Sequence, residues 1–206
     1  MSYFDMLVWP GGGMIGVILW ILSFATLAVI IEQCLSIRRA VLLPEAVRDH
    51  VGKLIGRKQF AGAIDFTADK PDMLCHIVHA ALIESPNGYP AMERSLEEAA
   101  EERITKLLRH IEWLNLIGNI SPMLGLLGTV WGMINAFFKI VEVGGIPSPA
   151  ELAGAIGIAL VTTLLGLGIA IPALAIYALM RNRIDAFGSE AIVMAQELIA
   201  PAQQTT

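Results

Sequence analysis

Three stretches of this chain, residues 6–31, 113–138 and 152–180, contain no Asp, Glu, Lys or Arg. Each is longer than the roughly 20 residues an α-helix needs to cross the hydrocarbon of a bilayer. Backbone in hydrocarbon is satisfied only within helices or closed barrels, so three helical spans are the reading. The composition agrees, with 55% hydrophobic and 16% charged residues and a mean hydropathy of +0.64. Such a balance over 206 residues argues against a water-soluble domain. The first span is expected to begin near Met14, because Pro10 and the glycines 11–13 break a helix there. Residues 2–9 would then lie along the interface. With no basic residue ahead of it, the first apolar run reads as a retained anchor rather than a cleaved leader.

Basic residues set the expected orientation. Eleven of the fourteen Lys and Arg lie between the first and second spans, two follow the third, and Lys139 alone lies between the second and third. The juxtamembrane members Arg38, Arg39, Arg103, Lys106, Arg109, Arg181 and Arg183 all agree, placing the long loop and C-terminal tail in the cytoplasm. The organisation predicted is an outer interfacial segment 1–13, a span 14–35, a cytoplasmic helical region 36–112, a span 113–138, an outer hairpin 139–151, a span 152–180 and a cytoplasmic tail 181–206. Within the loop, Val47, Val51 and Leu54 share one helical face, Phe60 and Ile64 a weaker one, and Leu74, Ile77, Val78, Ala81 and Leu82 a third. From Ala91 onward no breaker precedes the second span. The stripe Leu96, Ala100, Ile104, Leu107, Ile111 and Leu114 predicts one helix running from a cytoplasmic stalk into the membrane, with two helices joined by a bend as the alternative.

The second span carries a second pattern. Asn115, Gly118, Pro122, Gly125, Thr129, Gly132 and Ala136 recur at steps of three and four, one stripe of small and polar residues. Lipid selects only bulk and apolarity, so this stripe is shaped for contact with another helix or a pore. In the third span Thr163 shares a face with Ala159, Gly166, Ala170 and Ala173, with Thr162 beside it. Neither span holds a carboxylate, His or Lys, so no side chain there titrates usefully. A hydroxyl donates and accepts hydrogen bonds, and can hold water or solvate a charge that comes from elsewhere.

Residues 121–133 (SPMLGLLGTVWGM) and 159–172 (ALVTTLLGLGIAIP) closely resemble the second and third membrane helices of the MotA/TolQ/ExbB proton-channel family. The acidic helix 96–112 and the three-span layout are similar too, and a three-span chain looks more like ExbB or TolQ than four-span MotA. The resemblance implies an all-α integral membrane protein of the bacterial inner membrane, with its N-terminus periplasmic and its C-terminus cytoplasmic. It implies a homopentamer whose central pore encloses two copies of an ExbD- or TolR-like single-span partner with an intramembrane Asp. Through that partner, and a TonB- or TolA-like periplasm-spanning protein, ion flow would energise outer-membrane transport or an envelope process. It also implies that Thr129 and Thr163 line the ion pathway; Thr162 joins them as a candidate by its hydroxyl, while Gly125, Gly128, Gly132, Pro122, Gly166 and Pro172 are the candidates for helix packing and pore shape by their residue types. The coupling ion would be H+; Na+ is compatible, because hydroxyl and carbonyl oxygens suit hard cations. One departure is Ile158, where many relatives carry a glutamate. It motivates an alternative reading, a non-conducting membrane scaffold of the same fold built around a single-span partner.

Each feature also has a plainer reading. A membrane threonine commonly bonds the carbonyl of its own preceding turn, Gly128 and Gly132 form an ordinary helix-packing spacing, and Pro122 and Pro172 would simply kink their helices. Glu32 is the only acid near membrane depth in the first span; snorkelling to the interface is favoured over a role as an ion-access group. His76 and His79 have a metal-like spacing but no second ligand pair, so packing is favoured. Cys34 and Cys75 are expected as free thiols. No cofactor or metal is expected, no nucleotide-binding loop or nucleophile motif appears, and nothing suggests nucleic-acid binding. A channel rather than an enzyme is the expectation.

Overall fold

The computed structural model describes residues 13–143 and 149–205. The expected interfacial segment 2–9 and the middle of the 139–151 hairpin therefore lie outside the described residues. All the regular structure described is helical. Helix α1 is Gly13–Ser36, α2 Arg39–Leu42, α3 Glu45–Gly56, α4 Phe60–Ala68, α5 Met73–Ile83, α6 Tyr89–Val143 and α7 Pro149–Ile199. Three of them, α1, α6 and α7, are long and apolar enough to cross a membrane. Helix α1 begins at Gly13, at the end of the Pro-Gly breaker.

Local chemistry explains the boundaries. Pro44 precedes α3 and Glu45 occupies its first turn, where negative charge is favourable. Lys58 ends that helix in the left-handed region at φ 58°. Asp72 caps α5, its carboxylate accepting the Cys75 N–H at 2.9 Å, an interaction typically worth about 1 kcal/mol. Gly88, at φ 91°, makes the turn into α6 that an L side chain would resist. From there α6 runs 55 residues with Pro122 inside it, the single continuous helix rather than two joined segments. Helix α7 likewise continues past Arg181 to Ile199: charge ends a hydrocarbon span but does not end a helix.

The described chain divides into two compact units. In one, formed by the middle of the chain and its C-terminal end, α5 is the centre: Met73, Leu74, Cys75, Ile77, Val78, Ala81 and Leu82 are all buried. Around it lie Val47, Val51 and Ile55 of α3, Met92, Leu96 and Ala100 of α6, and Ile184, Ala191, Ala195 and Leu198 of α7. On α4 the buried positions are Ala63 and Thr67, one register away from the expected Phe60 and Ile64; the two larger side chains sit half-buried at the rim. Ser95 donates to the Ala80 carbonyl, and Arg103 to that of Pro71 at 2.7 Å. Arg39 pairs with Glu190 and Arg48 with Glu197 at 2.9 Å on the surface of this unit. Cys34 and Cys75 are free thiols. Burial, with the nearby Asp72 charge, pushes the Cys75 thiol up to about 12.

The other unit contains the described residues of 13–32 and 112–178, and its surface is apolar. Ile21, Phe24, Leu27, Trp113, Met123, Leu126, Trp131, Phe137, Leu160, Leu164 and Ile171 are all exposed. In hydrocarbon such side chains carry no penalty. Beside a few large apolar side chains (Leu19, Leu114 and Ile169), what is buried is mostly small or polar, including Gly16, Thr26, Ser121, Gly125, Gly128, Ala159, Thr162, Gly166 and Ala170.

Candidate functional site

Helices α6 and α7 meet along a glycine seam so close that the absent side chains can be named by what they would strike. A Cβ on Gly166 would lie 2.5 Å from the Ser121 carbonyl oxygen, and one on Gly125 2.8 Å from the Thr162 carbonyl oxygen. One on Gly118 would lie 2.6 Å from Leu174, and one on Gly132 3.1 Å from the Cβ of Ala159. A Cβ on Gly128 would run into the Thr162 side chain. As the α6 contacts ascend from 118 to 132, the α7 contacts descend from 174 to 159, so the pair is antiparallel. Backbone contact of this kind is how membrane helices associate where hydrophobic burial gives nothing.

Two stripes on α6 are thereby separated. Gly118, Ser121, Gly125, Gly128 and Gly132 face α7, and Ser121 is completely buried, its hydroxyl donating to the Ile117 carbonyl at 2.6 Å. The sequence stripe mixed members of this face with Asn115, Pro122 and Thr129, which are half-buried and belong to the neighbouring one. Ala136 is buried.

Each hydroxyl has a distinct role. Thr162 is 1% exposed and donates to the Ala159 carbonyl at 2.7 Å, with the Gly125 carbonyl also within reach at 3.2 Å. It is a packing group of the seam. Thr163 is half-buried and donates across to the Gly125 carbonyl at a long 3.3 Å. Thr129 donates to the Leu126 carbonyl of its own preceding turn at 2.7 Å. Because Gly128 abuts Thr162, Thr129 and Thr163 each lie one residue from that contact, within about 1.5 Å of one level along their helices. A carbonyl has no hydrogen to give, so each hydroxyl is the donor and keeps its lone pairs for accepting. In that state the oxygens suit a protonated carboxyl group or a small cation. The long Thr163 bond is the easier to release for donation to a carboxylate.

The remaining candidates fall elsewhere. Pro122 is half-buried on α6 and Pro172 exposed on α7. Glu32 is exposed near the C-terminal end of α1. Ile158 is half-buried on α7, beside buried Ala159. His79 shares a 3.0 Å hydrogen bond with Thr67. His76 lies 3.9 Å from Glu102, and burial, reinforced by the Arg103 charge, holds its imidazole below the usual range. Both histidines are thus engaged within their own unit.

Besides Ser121, four polar groups of the unit that holds the spans were not found from sequence. Thr26 is 3% exposed in α1 and bonds the Leu22 carbonyl. Glu112, Asn119 and Tyr177 form a hydrogen-bonded group with Asn115 at one end of the α6–α7 pair. The three-and-four spacing that begins at Asn115 does extend back to Glu112, which is the signal that could have found it.

Comparison with known proteins gives consistent results. The MotA/TolQ/ExbB proton channel family matches residues 70–191. The biopolymer transport protein ExbB of Xanthomonas campestris pv. campestris is 42% identical over 82 residues, which are 40% of this chain and 32% of that protein. The chain thus aligns with about a third of the length of that relative. Biopolymer transport protein exbB1 of Vibrio cholerae is 30% identical over 178 residues, 82% of this chain and 72% of its own. ExbB of Neisseria meningitidis is 28% identical over 197 residues, 88% and 87% of the two chains.

Proposed function

Because this chain belongs to the MotA/TolQ/ExbB proton channel family, we propose that it is the ion-conducting subunit of an inner-membrane motor. Five copies enclose the membrane helices of an ExbD- or TolR-like partner, and the ion-motive force does work across the periplasm through it. The reading includes a periplasmic N-terminus, with the long loop and the tail in the cytoplasm. A TonB- or TolA-like protein would carry the force outward, to outer-membrane transport or an envelope process.

The observation that carries the proposal is the pairing of the two threonines at one level of a helix pair whose own spans hold no titratable carboxylate. Hydroxyl oxygens of this kind solvate an ion or an acid without carrying charge, so the proton carrier is supplied by the partner. When that acid is protonated, a lone pair of Thr129 or Thr163 accepts its single O–H. When it ionises, Thr163 releases the Gly125 carbonyl and donates instead. Such a change in contacts is the kind of differential interaction that can drive a conformational step. Protons are the favoured ion, and sodium is chemically compatible with the same oxygens.

A second reading, a non-conducting scaffold around the same partner, draws on Ile158 and on the hydroxyls being already bonded within the protomer. Vesicles separate the two. Under an imposed proton or sodium gradient, vesicles holding the chain alone are expected to be silent, and those holding the chain with its acidic partner to conduct. Silence of the complete complex with either ion would favour the scaffold.

A further inference from the structure

Glu112 stands at the end of the charge-free stretch of α6, and its carboxylate is held on both oxygens. The Asn115 side-chain amide donates to Oε1 at 2.6 Å, and the Tyr177 hydroxyl of α7 donates to Oε2 at 3.3 Å. Asn119 in turn donates to the Asn115 side-chain oxygen at 2.9 Å and to its carbonyl at 2.7 Å. Every donor in this chain points toward Glu112. A relay polarised in one direction keeps the carboxylate directed instead of leaving it free to snorkel.

The same stripe continues into the span. Glu112, Asn115, Asn119, Pro122 and Thr129 lie on one face at steps of three and four or their sum, all exposed or half-buried in the protomer. Pro122 has no N–H, so the Gly118 carbonyl loses its usual helical donor within this stretch. From Glu112 to Thr129 the track is about 25 Å long at 1.5 Å per residue, close to the thickness of a bilayer core. It carries oxygen-bearing side chains at Glu112, Asn115, Asn119 and Thr129, with Pro122 and the exposed Leu126 before the last of them, and it ends in the Glu112 carboxylate.

We infer that Glu112, held by Asn115 and Tyr177, is the cation-binding group through which the transported ion passes between water and the threonine level. The inference rests on the channel reading, and deepens it by naming the carboxylate at one mouth of the pathway. Its ligand is a hydrated proton or a small monovalent cation, drawn by the local negative potential that a fixed carboxylate creates.

The test is proton flux into vesicles carrying the complete complex, followed with a pH-sensitive dye, with subunit assembly checked in the same preparation. Glu112→Gln keeps the size and removes the charge; flux is expected to fall about tenfold with assembly unchanged. Tyr177→Phe leaves the carboxylate and removes one donor, and is expected to cost less. If Glu112→Gln conducts like the parent while the threonine variants do not, the inference fails and the channel reading stands. If the unaltered complex is silent toward both protons and sodium, the channel reading itself fails, and the inference with it. Should Glu112→Gln fail to assemble, Glu112→Asp decides. Recovered flux supports the inference, whereas loss of assembly there too would reduce Glu112 to a clamp between α6 and α7.

Discussion

Thr129→Val combined with Thr163→Val is expected to reduce ion flux through the assembled complex by about a hundredfold or more, while leaving assembly intact. Valine matches threonine in shape, so the change deletes hydroxyls and little else. A hydrogen bond to a charged group is worth about 1.5–3 kcal/mol, and losing two at the same step accounts for a reduction of that size. The structural cost is small. Thr129 bonds only its own helix, and the Gly125 carbonyl that Thr163 reaches at 3.3 Å retains Thr162 at 3.2 Å. Thr162→Val should behave differently, because that side chain is buried within the seam and its loss acts on packing. Flux measured beside a native gel of each variant checks both statements. Full partner-dependent activity in the assembled double variant would contradict the threonine pathway.

The largest effect on folding is expected from Gly166→Val. A Cβ there meets the Ser121 carbonyl oxygen at 2.5 Å and the Gly125 Cα at 3.2 Å, both backbone atoms that cannot swing aside. The helices must separate to admit it, which breaks the contacts at Gly118, Gly125, Gly128 and Gly132 together. Overpacking of this kind costs about 3 kcal/mol, enough to deplete the folded subunit in detergent. Gly168→Ala, where nothing lies within 4 Å of the added carbon, is expected to assemble like the parent. Thermal denaturation and the recovered fraction of assembled complex compare the two. Tolerance of valine at 166 would mean that the seam is looser than described.

How far the sequence reached can be followed along α6. The charge-free run after Glu112 and the absence of a breaker from Ala91 onward predicted one long helix, and Tyr89–Val143 is one helix. Buried Leu96, Ala100, Ile111 and Leu114 follow the expected stripe. Within the span, periodicity reached its limit. Steps of three and four average close to the helical repeat, so adjacent stripes both look regular, and small size alone says only that something approaches closely. Which stripe meets α7 depends on the register of a helix forty residues away in sequence. Gly118, Gly125 and Gly132 therefore parted from Asn115, Pro122 and Thr129 only in three dimensions. Ser121 was missed for the same reason, and Glu112 because a charge at a span boundary reads as an ordinary edge until Tyr177 is seen against it.

The proposed reading takes the acid of the pathway from a partner, and that source can be measured. Native mass spectrometry of the complex, extracted from its own membranes in mild detergent, addresses it directly. Five copies of this chain with two copies of a single-span protein that carries one intramembrane Asp is the expected result. A stable homo-oligomer with no acidic partner, under conditions that keep other membrane complexes whole, would contradict the motor and favour the scaffold.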